Sequence, residues 1–105
     1  MAKSEARIRM DYMRAKECAA HLEYTARLIQ QNVNHSLAPT MTAIGSVWKG
    51  GGSDIFTDKG RKLQRQIMDQ AKELDYTAQM IQAIAINTYT AEMKARRIIE
   101  QKSRR

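Results

Sequence analysis

Apolar positions recur along this chain at alternating steps of four and three residues, on both sides of a glycine-rich break. Upstream, Ile8, Tyr12, Ala15, Ala19, Leu22, Ala26, Ile29 and Val33 follow that alternation. It keeps one narrow stripe of a helix apolar, as in a coiled-coil seam. The step then becomes four twice, to Leu37 and Met41, before Ile44 and Trp48. Two consecutive fours shift the phase and locally unwind a supercoil. Pro39 lies in that stretch, and Asn32, Asn34, His35 and Ser36 just before it are weak helix formers. The pattern predicts a kink, or a short break with restart, between His35 and Pro39.

Downstream, Phe56, Gly60, Leu63, Ile67, Gln70, Leu74, Thr77, Ile81, Ile84, Thr88, Ala91, Ala95 and Ile98 keep the same alternation. Around Met80, Ile81, Ile84 and Ile86 the apolar surface is wider than one seam, and Ile86 and Met93 lie off the main stripe. These four isoleucine and methionine positions are the expected dimer or partner face. Between the seams stand Trp48-Lys49-Gly50 and then Gly51, Gly52 and Ser53. Glycine accepts the left-handed backbone that ends a helix, and Ser53 or Asp54 is placed to cap the next one. The expectation is an all-α fold in one domain, residues 1–105. Helix one spans about 5–46, the turn about 47–53 and helix two about 54–101, joined as an antiparallel helix-turn-helix hairpin. Each helix would be on the order of 60 Å long, with no enclosed core. Two such hairpins close their apolar seams by pairing into a four-helix bundle.

Composition narrows the function classes. The chain is 43% hydrophobic but only 6% aromatic, with one proline and five glycines, too little punctuation for a β-rich fold. No stretch approaches the roughly twenty apolar residues of a membrane span. The charged N-terminal run MAKSEARIRMDYM lacks the apolar core and cleavage site of a secretory signal peptide. Cys18 is alone, so the fold needs no oxidising compartment; beside Ala19 and Ala20 it reads as a small packing residue.

The net charge is +7, and its distribution is uneven. Lys94 to Arg105 holds six basic residues and one acid, and Lys59, Arg61, Lys62 and Arg65 form a second cluster. Such ends meet nucleic acid, anionic lipid or an acidic protein, but cations in the last turns of a helix also complement its dipole. Acids lie between the two clusters and few aromatics are placed for base stacking, which argues against nucleic acid. A basic nucleic-acid-binding module, or a plain oligomerisation module, is the alternative reading.

Catalytic chemistry finds no constellation. Ser/His/Asp sets and paired carboxylates are missing, and Gly50-Gly51-Gly52 lacks the Lys-Ser/Thr of a phosphate loop. Glu17, Cys18 and His21 share a helix face but lack a fourth ligand for zinc. No enzyme, cofactor or metal site is expected.

The order long helix, Trp48-Lys49-Gly50, Phe56 eight residues after the tryptophan, long helix, resembles the WxG family of early-secreted-antigen-like proteins. Residues 84–93, Ile84 to Met93, are similar to the late second helix of its Gram-positive members. The resemblance implies a small type VII secretion substrate, or a targeting partner and chaperone for a larger effector, exported folded. It implies a homodimer, or a heterodimer with a related hairpin or with the helical N-terminal domain of a toxin, and contact with the type VII secretion ATPase. Localisation would be cytoplasmic before export, then secreted or at the cell surface. In that family the turn motif, here Trp48, Gly50 and Phe56, works with a tyrosine followed four residues later by an acid. Here Tyr89 is followed by Glu92 at the third position. Either that pair is a variant export signal, or a partner chain supplies the signal.

Overall fold

The computed structural model describes residues 3–48 and 50–104. Among these the fold is helical, with no strand. Helix α1 runs Glu5–Asn32, a π-helical turn covers Val33–Leu37, α2 runs Ala38–Val47 and α3 runs Gly51–Ser103. Lys49 of the turn motif and Arg105 of the basic end lie outside the described residues. Among the described residues, no helix is long and apolar enough to cross a membrane.

Local chemistry accounts for the boundaries. The Ser4 hydroxyl accepts the Arg7 backbone N–H at 3.2 Å and caps α1. The stutter becomes a π turn, in which Ala38 N–H donates to the Val33 carbonyl five residues back. Pro39 has no N–H to return to His35, and its ring crowds that carbonyl in an α register. Widening the turn relieves the crowding while Ala38 stays helical at φ −62°, ψ −47°. The wider turn also holds Val33, Leu37 and Met41 on one side despite their steps of four, and all three are at least half-buried. The expected break is therefore a continuous helical turn of different pitch.

Helix α2 ends at Trp48, extended at φ −88°, ψ 108°. Gly50 follows at φ +139°, a conformation that favours glycine. Helix α3 then starts at Gly51, three residues earlier than expected, so the link between helices is shorter than 47–53. Ser53 does not cap as foreseen. Its hydroxyl donates to the Gly50 carbonyl at 2.8 Å, and its N–H reaches the same oxygen at 3.1 Å. Asp54 sits in the first turn, where a negative charge suits the helix dipole.

The chain divides into two compact units: Met1–Leu22 with Tyr76–Arg105, and Glu23–Asp75. In the terminal unit the buried residues are Ile8, Ala19, Ala78 and Ala85. Tyr12 meets Tyr89, and Lys3 meets Glu92 and Arg96, so the two stretches of this unit run in opposite directions. In the central unit the buried residues are Ala26, Val33 and Ala71. Here Met41 lies on Gly60, Gly45 faces Thr57 and Trp48 stacks on Phe56, again in opposite order.

The first seam is buried where its period placed it. The second is half displaced. Gly60, Ile67, Leu74 and Ile81 face inward as expected, but Leu63, Gln70, Thr77 and Ile84 are exposed. Their places are taken by the next residues, Gln64, Ala71, Ala78 and Ala85. Size explains the shift. Ala71 and Ala78 are fully buried. A methyl group at these layers lets helices approach closely, whereas Leu63 or Ile84 would hold them apart. Cys18 was expected to pack, but it is exposed, with its neighbour Ala19 on the seam instead.

Candidate functional site

Two groups of residues singled out by the sequence are assembled, one in each unit. In the central unit, Gly50 turns the chain so that the Trp48 ring comes back over the start of α3. Its centroid lies 5.2 Å from that of Phe56, with the planes tilted by 48°. Such tilted pairs contribute roughly 0.5–1.5 kcal/mol beyond their area. A Cβ added to Gly52 would meet the indole at 3.3 Å, so the glycine makes room for the ring. Trp48 is nevertheless 45% exposed, and Val47 and Ile55 beside it are more so. The tryptophan both pins the turn and presents an aromatic surface to solvent.

In the terminal unit, Tyr89 and Glu92 lie on one face of α3 and both touch the other stretch. The Tyr89 and Tyr12 rings stand 4.9 Å apart at 39°. Lys3 reaches both Asp11, at 3.0 Å, and Glu92, at 3.4 Å. Arg96 donates to the Lys3 carbonyl at 3.2 Å and pairs with Glu100 at 3.3 Å. The Asp11 hydrogen bond is the main reason the Lys3 ammonium is held above its ordinary pKa, against a loss of hydration, with Glu92 adding to it. The same bond holds the Asp11 carboxyl below the usual carboxylate range. Glu92 is therefore already engaged by the N-terminal segment, through Lys3, which the sequence reading missed. The one signal available was charge: a lysine at position 3 and acids at positions 11 and 92, readable as partners only if those stretches are expected side by side.

A cleft of about 230 Å³ lies against this cluster, lined by Ile8, Tyr12, Ile81, Ile84, Tyr89 and Glu92 among others. The expected partner face is split around it. Ile81 is half-buried in the seam. Met80 and Ile84, four residues apart, share one flank and are 46% and 59% exposed. Ile86 is 52% exposed on the other flank, in a groove with Tyr12 and Lys16. Two apolar flanks replace one broad face.

Among the described residues no group of three His, Cys, Asp or Glu side chains is placed to hold a metal ion. Comparison with family models, with curated proteins and with solved structures finds no match to this chain.

Proposed function

We propose that the chain is a helical pairing module of the type VII secretion kind, a small substrate or targeting partner exported folded. In this reading the two long helices form an antiparallel hairpin, and a second hairpin closes it into a four-helix bundle. One observation carries the pairing. Seams of alanine bury little apolar surface, while Met80, Ile84 and Ile86 stay about half exposed. Burial contributes roughly 25 cal/mol per Å² of apolar surface, so the larger stabilisation waits for a partner that covers those flanks.

The opposite running order inside each unit supports the hairpin. The half-exposed Trp48 held by Gly50 and Phe56 supports a turn recognised by the secretion ATPase. Tyr89 and Glu92 supply the second half of an export signal only if Tyr12 and Lys3 release them, so a partner chain that carries the standard spacing fits this reading better.

Light scattering on the purified chain, alone and with the helical proteins encoded beside it, tests the pairing. A stable assembly that Ile84→Asp dissolves is the expected result. A persistent monomer that binds none of those proteins sinks it. Export is tested separately, by the supernatant level of Trp48→Ala. Unchanged export with an intact assembly would leave a plain oligomerisation module and remove the secretion role.

A further inference from the structure

The π turn and the basic cluster of α3, two features with no part in the pairing and export reading, meet in one groove of about 680 Å³. One wall is Val33, Asn34 and Ala38. The other is Arg61, Arg65, Met68 and Lys72, at i, i+4, i+7 and i+11 of one helix stripe, with Gln64 and Asp69 completing the lining. Val33 is buried and Met68 half-buried, so the floor is apolar while the rim is charged. All three cations are exposed. Among the described residues none of them forms an ion pair, although the arginines at positions 7, 9, 27 and 96 all do.

We propose that this groove binds an acidic amphipathic helix of another protein, with an apolar residue on Met68 and carboxylates on Arg61, Arg65 and Lys72. Arg61 to Lys72 spans roughly 16 Å at 1.5 Å per residue, the length of about three helical turns. Guanidinium groups one turn apart match carboxylates one turn apart, each in paired hydrogen bonds. A second copy of the chain fits badly, because its net charge is +7 and it would bring its own cations to the same rim. Nucleic acid fits less well: Asp69 interrupts the basic row, the floor is apolar, and no aromatic side chain lines the groove for base stacking. Asp69 also sets a specificity, asking for a neutral or basic residue opposite it. The inference goes beyond the export reading and stands or falls without it.

The test titrates the isotopically labelled full chain with a synthetic helix of about fifteen residues, roughly 22 Å long. Its glutamates and leucines repeat at four and three. Controls are the same peptide with lysine for glutamate, and a single-stranded oligonucleotide. The Met68 methyl and the Gln64 and Asn34 signals should shift with the glutamate peptide. Arg61→Gln with Arg65→Gln should weaken it by at least about tenfold, equivalent to about 1.4 kcal/mol. Because both sites are exposed, helicity and melting should not change, and Lys72→Gln gives an independent, smaller loss. The proposal is overturned if Met68 stays silent, if the lysine peptide binds equally, or if the oligonucleotide binds more tightly through the same residues. It is equally overturned if the chain's own dimer occupies the groove.

Discussion

The two units of this chain solve the same packing problem with different chemistry. Both bury small residues on a four-and-three seam. Each also has a ring pair, Tyr12 on Tyr89 and Trp48 on Phe56. The terminal unit then adds polar ties: Lys3 to Asp11 and Glu92, and Arg96 to the Lys3 carbonyl. The central unit adds backbone devices instead: a π turn at Val33–Leu37, Gly50 at positive φ, and glycines that let Trp48 and Met41 settle against α3. Side-chain ties are adjustable by pH and by competing partners. Backbone devices are not. The difference puts the backbone-determined feature at Gly50 and the side-chain tie at Lys3 and Glu92.

The largest effect should come from overfilling the shared seam. Ala71→Leu in the central unit and Ala78→Leu in the terminal unit should each cost about 1–3 kcal/mol, because both methyl groups are fully buried. Leu63→Ala, half exposed, should cost under about 1 kcal/mol in the chain alone. Thermal melts of the three variants check this. A Leu63 variant that is less stable than both leucine variants would show that the larger side chains form the seam. A tolerated Ala78→Leu beside a damaging Ala71→Leu would show that the terminal stretches have room to separate.

Sequence periodicity made the first seam readable because most positions beside it are polar. The second seam was ambiguous for a physical reason. Gly60, Ile67, Leu74 and Ile81 belong equally to two stripes, one completed by Leu63, Gln70, Thr77 and Ile84 and the other by Gln64, Ala71, Ala78 and Ala85. Hydrophobicity favours the first stripe; close helix approach selects the second. The distance between helices is not written in either segment alone. Similarly, the stutter and Pro39 marked the irregular stretch, but a π turn and a kink share that signal. Trp48 and Phe56 were legible as a turn motif. The engagement of Glu92 by Lys3 was not, because it joins residues 89 positions apart.

The turn itself can be broken more selectively. Gly50→Ala should cost about 1–2 kcal/mol, since its φ of +139° strains any side chain whatever the space around it. Gly51→Ala, in α3 with open space around its Cβ, should instead add about 0.4–1 kcal/mol of stability. Hydrogen exchange should place the Gly50 loss in the central unit. Equal protection losses in both units would mean that the turn and the termini unfold together, and the contrast between backbone-determined and side-chain-tied units would not hold.

In the terminal unit a double-mutant cycle on Tyr12 and Tyr89 should give a coupling of about 0.5–1.5 kcal/mol. Repeating it with Lys3→Ala tests whether the polar ties and the ring pair act together. A coupling that survives unchanged would separate the ring contact from Lys3, leaving Tyr89 held even when Glu92 is free.

The smallest effect is the pH response of the Lys3 tie, and its sign follows from the two titrations. Asp11 is lowered in the fold, first by the Lys3 hydrogen bond, so its contribution is present above its unfolded pKa and fades as pH falls through the lowered value. Lys3 is raised, first by the same bond, so its contribution is present below its unfolded pKa and fades as pH rises through the raised value. The tie is therefore complete across neutral pH and loosens at both extremes. Because the groups are solvent-exposed, global melting should barely register it. The sensitive readout is the Asp11 carboxyl resonance: its titration should move back toward the ordinary carboxylate value in Lys3→Ala. An Asp11 titration indifferent to Lys3 would remove the tie, and with it the reason to regard Glu92 as held by the N-terminal segment.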